Sequence, residues 1–121
     1  MQSILIIEDE PTLQKALSTA LAQDGYEVKS ALDGELGLKT AREIKPNLIL
    51  LDLILPKLDG FEVLKELKKD DQTKEIPVIV LTNLESAQDI EKSLALGAFS
   101  YLVKANYDLK EVLEKIQEAL K

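Results

Sequence analysis

The sequence predicts an α/β fold in which a doubly wound, five-stranded parallel sheet carries helices on both faces. Three continuous apolar runs, at residues 4–7, 48–51 and 78–81, are typical of strands that are buried on both sides. Apolar residues recur with helical spacing between the runs, so strands and helices alternate along the chain. This alternation favours a parallel sheet, because right-handed crossovers place the connecting helices on its faces.

The first half of the chain contains two strand–helix units. The first apolar run leads to Pro11, which suits the first turn of a helix because its missing N–H costs no hydrogen bond there. Gly25 is placed to end this helix, and residues 26–31 form a weaker predicted strand. An Asp-Gly pair at residues 33–34 opens the second helix, which Pro46 closes.

Three further helices follow in the second half. An Asp-Gly pair at residues 59–60 begins the third helix, and Ser86 begins the fourth, which Gly97 ends. Residues 99–103 form the last predicted strand. Asp108 begins a final helix with a continuous apolar stripe.

Length and composition indicate one domain covering residues 1–121. The 45% apolar and 31% charged residues are typical of a soluble globular protein. No apolar stretch approaches the roughly 20 residues that a membrane helix needs, and no signal-like segment precedes the first strand. We therefore expect a cytoplasmic protein without membrane association.

Charge and missing residue types exclude several kinds of function. With 15 basic and 22 acidic residues the net charge is -7, which disfavours direct binding to nucleic acid. The chain has no cysteine and no histidine, which excludes a thiol nucleophile, a Ser-His-Asp triad and a zinc site of the usual ligands. Covalent chemistry must use a carboxylate, a hydroxyl or a lysine.

Residues with such groups follow the strong strands. Glu8 and Asp9 follow the first, Asp52 the third, Thr82 the fourth and Lys104 the fifth. The carboxyl ends of parallel strands meet at one edge of a sheet, where ligands bind in folds of this class. Three carboxylates gathered there would repel each other without a cation, and Mg²⁺ is the natural candidate because it binds oxygen ligands.

The same residues are suited to phosphoryl transfer. A carboxylate can attack phosphorus to give an aspartyl phosphate, and Asp52 is the predicted nucleophile because it follows the central strand by itself. Each residue also has a structural explanation. Lys104 could be a solvated charge, Thr82 could satisfy loop backbone, and the acids after the first strand could be favoured by the helix dipole.

Across essentially its whole length the sequence resembles the receiver domains of two-component response regulators. The order and spacing of these residues carry the resemblance: Glu8-Asp9, Asp52, Pro56, Asp59-Gly60, Thr82, Tyr101 and Lys104. The resemblance implies a flavodoxin-like sheet with strand order 2-1-3-4-5. It identifies residues 1–121 as a single receiver domain, with no output domain in this chain, acting as a switch and not as an enzyme.

The resemblance also implies a role for each site residue. Asp52 would be the phosphoacceptor, and Mg²⁺ would be held by Asp9, Asp52, the backbone carbonyl of Ile54 and, through water, Glu8. Lys104 would pair with the phosphoryl group.

Thr82 would move to hydrogen-bond the phosphoryl group while Tyr101 turns inward, which would change the face made by the fourth helix, fifth strand and fifth helix. Implied partners are a sensor histidine kinase or phosphotransfer protein and a downstream protein or output domain. The chain would be a monomer or a weak, phosphorylation-dependent dimer.

Two departures from the family pattern keep alternatives open. The family usually has proline after the lysine, preceded by a cis peptide bond, whereas Lys104 precedes Ala105, so either a costly cis bond persists or the loop takes another path. Thr82 is followed by the relatively large Asn83. A pseudo-receiver that binds partners without phosphorylation is therefore one alternative. A haloacid-dehalogenase-like phosphatase is another, although the second aspartate of such enzymes is replaced here by Ile54.

Overall fold

Five strands and five α-helices alternate along the chain in the computed structural model, which describes residues 1–84, 86–106 and 108–121. The strands are Ser3–Ile7 (β1), Glu27–Ala31 (β2), Leu48–Leu51 (β3), Val78–Thr82 (β4) and Ser100–Val103 (β5). The helices are Pro11–Gln23 (α1), Gly34–Ile44 (α2), Gly60–Lys69 (α3), Ala87–Ala95 (α4) and Leu109–Ala119 (α5), and a 3₁₀ turn spans Lys104–Asn106.

All strand pairs are parallel, and the sheet order is β2-β1-β3-β4-β5. The predicted fold class and strand order are confirmed. Ile7 is in register with Leu51 across the central pair, and the amide of Asp52 donates to the carbonyl of Ile7 at 3.0 Å. The acids after β1 and the aspartate after β3 therefore emerge side by side.

Two apolar cores cover the two faces of the sheet. On one face, α2 and α3 pack their buried residues, such as Leu38 and Leu64, against alternate residues of the central strands. On the other face, α1 and α5 do the same with residues such as Leu17 and Ile116. In the described part of the chain, no helix has the length and apolar character that crossing a membrane requires.

The helix starts predicted from capping residues are confirmed. Backbone amides in the first turns donate to the side chains of Asp33, Asp59, Ser86 and Asp108. β2 and β5 each begin one residue later than predicted. At β2 the reason is that the Tyr26 amide still bonds to the carbonyl of Leu21 at the end of α1.

Candidate functional site

An acidic cluster lies at the carboxyl edge of the sheet, where β1 and β3 end next to each other. Glu8, Asp9 and Asp52 each offer a carboxylate oxygen within 4.8 Å of the others. Glu8 and Asp52 are buried, at 2% and 4% exposure, whereas Asp9 is exposed. The structure therefore brings together the three carboxylates that the sequence placed at this edge.

Lys104 reaches this cluster from the end of β5. Its Nζ lies 2.8 Å from Asp52 Oδ2 and 2.8 Å from Glu8 Oε1, so one ammonium bridges the two buried carboxylates. The Lys104–Ala105 peptide bond is trans, and Lys104 begins the 3₁₀ turn. The loop thus takes the alternative path that the sequence left open, and Lys104 still reaches Asp52.

Backbone amides also donate to the two buried carboxylates. The Glu10 amide donates to Glu8 Oε2 at 2.9 Å, and the Ile54 amide donates to Asp52 Oδ1 at 3.2 Å. Each carboxylate is therefore held between a backbone amide and the Lys104 ammonium. The backbone of Ile54 therefore contacts the cluster, whereas the Ile54 side chain is exposed to solvent.

The electrostatics of the site follow from its burial. Desolvation raises the pKa of the Glu8 carboxyl above its usual value, although hydrogen bonds from Lys104 and the Glu10 amide oppose the rise. For Lys104, burial acts to lower the pKa, but hydrogen bonds and charge attraction from Asp52 and Glu8 outweigh it, and the pKa is raised. The lysine is therefore positively charged at neutral pH.

Thr82 ends β4 at the same edge and is fully buried. Its Oγ1 has no hydrogen-bond partner among the residues that the structure describes. An unpaired buried hydroxyl costs about 1–3 kcal/mol, and such groups are rare in native proteins. The Thr82 hydroxyl therefore has capacity for a hydrogen bond that the described residues do not supply.

Tyr101 lies on β5, beside Val80 of β4 in the sheet register. Its ring is half-buried against the core on the α2 and α3 face, and its hydroxyl donates to the carbonyl of Leu84. Leu84 belongs to the segment between β4 and α4, two residues beyond Thr82. Tyr101 thus connects β5 to the segment that begins at Thr82.

The donor set fits a hard divalent cation. Three carboxylates close together, in a chain without cysteine or histidine, match the oxygen preference of Mg²⁺. Acidic clusters also occur without an ion, so the lysine paired with Glu8 and Asp52 is a second feature that distinguishes this cluster from a group of surface acids. Asp9, as the exposed member, is the carboxylate most accessible to a cation from solvent.

Sequence reasoning missed one contact of this site. The Gln14 side chain, on α1, donates from Nε2 to the carbonyl of Glu8 at 3.2 Å and to that of Ala31 at 3.5 Å. It joins the acidic segment after β1 to the end of β2. No local pattern marks Gln14, because the contact depends on how α1 packs on the sheet.

Comparison with known proteins shows to which family this chain is similar. The model of the response regulator receiver domain matches residues 4–117. The DNA-binding dual master transcriptional regulator RpaA of Synechocystis sp. is 41% identical over 121 residues, which are 100% of this chain and 50% of that protein. The transcriptional regulatory protein AfsQ1 of Streptomyces coelicolor is 42% identical over 104 residues, 86% of this chain and 45% of that protein. The chain thus spans about half the length of these relatives.

Solved structures agree with these matches. The chemotaxis response regulator CheY4 of Vibrio cholerae superposes with a TM-score of 0.91 at 30% identity, covering 99% of each chain. The BeF3-activated N-terminal receiver domain of Klebsiella pneumoniae RstA gives a TM-score of 0.90 at 27% identity, with 98% of each chain covered.

Proposed function

Because the chain belongs to the response regulator receiver domain family, we propose that it is a signalling switch whose Asp52 accepts a phosphoryl group in a Mg²⁺-dependent reaction. One observation carries this proposal. The buried Asp52 carboxylate contacts a charged lysine within an acidic cluster, at the edge of the sheet where ligands bind in this fold.

The reaction is a transfer between two proteins. A carboxylate oxygen of Asp52 attacks phosphorus, a P–O bond forms, and the P–N bond to a donor histidine breaks with its electron pair left on the imidazole nitrogen. Lys104, already 2.8 Å from Asp52, balances negative charge on the phosphoryl oxygens. Asp9 and Asp52, with the carbonyl of Ile54 and with Glu8 through water, would hold Mg²⁺, which supplies further positive charge to these oxygens.

The conformational response begins at Thr82. A phosphoryl oxygen on Asp52 would give the Thr82 hydroxyl the partner that the described residues do not supply. Movement of Thr82 would shift Leu84, whose carbonyl accepts a hydrogen bond from the Tyr101 hydroxyl. The phosphoryl group thus favours one of two arrangements of the α4, β5 and α5 face, which is a population shift driven by differential contacts.

The helix that would move is held by few buried residues. In α4, all of whose residues are described, Ser93 is the one buried residue. A weakly anchored element needs little free energy to be repositioned, which suits it to a switch.

The phosphodonor must be another protein, because the chain has no histidine. A sensor histidine kinase or phosphotransfer protein is the donor class that family membership supports. A groove along α1 that reaches Leu109, the first residue of α5, offers it a docking surface. Its lining includes Thr12 and Leu109, from the helix turns nearest the carboxyl edge, together with Ala16 and Ala20.

The switched face would control a downstream protein or output domain. The relatives named above are transcriptional regulators about twice as long as this chain, which supports an output of that kind. A monomer or weak phosphorylation-dependent dimer, no direct contact with nucleic acid by these residues, and a cytoplasmic location complete the proposal.

The structure favours neither alternative function. A haloacid-dehalogenase-like phosphatase needs an acid two residues after its nucleophile, and the exposed, apolar Ile54 cannot act as one. A pseudo-receiver would not require Lys104 in contact with Asp52, yet that contact is present despite the Ala105 substitution.

Intact mass spectrometry after treatment with a small phosphodonor tests the proposal. We expect a single phosphoryl adduct on the wild-type protein in Mg²⁺, and none in EDTA or on Asp52→Asn. The variant Asp71→Asn is the matched control, because Asp71 is exposed and lies near the opposite edge of the sheet. An adduct that forms independently of both Mg²⁺ and Asp52 would refute the mechanism.

A further inference from the structure

The N-terminus of α2 is in direct contact with the loop that joins Asp52 to α3. A Cβ added to Gly34 would lie 2.0 Å from the carbonyl oxygen of Leu58 and 2.9 Å from its Cβ. Gly34 begins a helix and does not have the positive φ that favours glycine. Glycine is therefore required at this position because α2 and the loop leave no space for a side chain.

A tight turn in the loop meets α2 at the same point. The carbonyl of Pro56 accepts the amide of Leu58 at 2.8 Å, the hydrogen bond of a γ-turn, and also accepts the amide of Gly34 at 3.3 Å. Lys57, at the centre of the turn, has a φ of 69°, which is strained for a residue with a side chain. A strained turn persists when neighbouring structure holds it, and here α2 supplies that contact.

Hydrogen bonds at both ends of the loop connect the turn at Lys57 to the site. At its start, the Ile54 amide donates to Asp52 Oδ1 at 3.2 Å. At its end, the Gly60 amide donates to the carbonyl of Leu53 at 3.0 Å. A short segment fixed at both ends cannot move at Pro56 or Leu58 without moving Leu53 and Ile54, and Ile54 provides a proposed metal ligand.

We propose that Gly34 is a positioning residue for the cation site. By letting the N-terminus of α2 approach Leu58, it fixes the loop from Leu53 to Asp59 and so aims the carbonyl of Ile54 at the cation held by the acidic cluster. The inference rests on the proposed function, because it concerns affinity for the Mg²⁺ of that site. The contact between Gly34 and Leu58 would thus support a metal ligand, although α2 itself supplies none.

The test is the dissociation constant for Mg²⁺ alone, measured by isothermal titration calorimetry on the full chain. Gly34→Ala should raise this constant by roughly 10-fold, the effect expected when support for a metal ligand is lost. Lys57→Pro should also raise it, because proline forbids the positive φ of the turn. Lys57 is exposed, so this second variant perturbs the loop while the core that folds the protein is unchanged.

Gly25→Ala is the stability-matched control. Gly25 has a φ of 95° at the end of α1, so alanine there strains the fold at the opposite edge of the sheet and touches nothing in the site. Its melting temperature in EDTA should fall while its affinity for Mg²⁺ stays that of the wild type. Wild-type affinity in both Gly34→Ala and Lys57→Pro would overturn the inference alone. Absence of Mg²⁺ binding by the wild-type protein would overturn the proposed function, and the inference with it.

Discussion

Lys104 and Asp52 are 52 positions apart in the chain, and Lys104 Nζ lies 2.8 Å from Asp52 Oδ2. The same ammonium contacts Glu8, whose side chain is as deeply buried as that of Asp52. Buried charges are costly unless they are paired, and here one cation serves two carboxylates. Lys104 is therefore the counter-charge of the two buried carboxylates.

Replacement of Lys104 by methionine should destabilise the protein in the absence of Mg²⁺. Glu8 and Asp52 would remain buried without their cation, and we expect the free energy of unfolding at neutral pH to fall by about 3–5 kcal/mol, the cost of breaking a buried ion pair by removing one partner. Urea denaturation measures this loss, and added Mg²⁺ should recover part of it. Lys110→Met is the control, since Lys110 is exposed on α5. Equal losses in the two variants would contradict the role of Lys104.

Two buried threonines give opposite predictions. Thr82→Val removes a hydroxyl that has no hydrogen-bond partner among the described residues, so it should leave the free energy of unfolding unchanged or raise it by up to about 1 kcal/mol. Thr73→Val removes a hydroxyl that donates to the carbonyl of Leu67 at 2.7 Å, so it should lower that free energy by about 1 kcal/mol. Thermal and urea unfolding compare them directly. A loss in Thr82→Val as large as in Thr73→Val would show that Thr82 is paired.

The phosphorylated protein should lose its phosphoryl group slowly. The side chains of Ile54, two residues after Asp52, and Leu84, two residues after Thr82, are apolar and cannot orient a hydrolytic water. Ile54→Asn or Leu84→Glu should therefore speed the decay, because each side chain could hydrogen-bond a hydrolytic water. The decay is followed by mass spectrometry, with Leu32→Asn, another exposed apolar residue, as the control. Unchanged decay in both site variants would remove this explanation.

Lys68 should make stability depend on pH in the alkaline range. Burial lowers its pKa below the ordinary 10.5 while its Nζ donates to the carbonyls of Lys74 and Ile76. Between the lowered folded pKa and 10.5, the unfolded chain keeps a proton that the folded protein has released, so stability contributed by Lys68 rises with pH in this window.

Urea unfolding of wild type and Lys68→Met at several alkaline pH values tests this sign. The stability advantage of the wild type should grow as the pH approaches 10.5. Lys65→Met, at an exposed position on the same helix, is the control for the removal of one positive charge. An advantage that shrinks with rising pH would contradict the lowered pKa.

Most of the fold could be predicted because its signals are local. The apolar runs of β1, β3 and β4 end at Glu8, Asp52 and Thr82, and parallel strands must carry those residues to one edge. Capping residues marked the helix starts within a single turn. The strand order needed the family resemblance, since alternation of elements does not fix which strands are neighbours.

The remaining features depend on contacts between distant segments. Gly34 read as part of a helix start, and its contact with Leu58 exists because α2 packs beside the loop after β3. The path of the chain after Lys104 was open between two geometries, and the trans bond to Ala105 became clear in the folded loop. A sequence pattern shows the periodicity within one segment. It does not show how two distant segments pack against each other, and these contacts depend on that packing.

The sparse anchoring of α4 has an evolutionary consequence. Its exposed and half-buried positions can change at little cost to stability, since surface substitutions away from special contacts usually fall within about 0.5 kcal/mol. If the proposed switch face contacts partners, gene duplicates acquire different partners through changes in this one helix while Asp52, Lys104 and the acidic cluster stay constant. Insulation between parallel signalling pathways would then arise from the least buried helix of the fold.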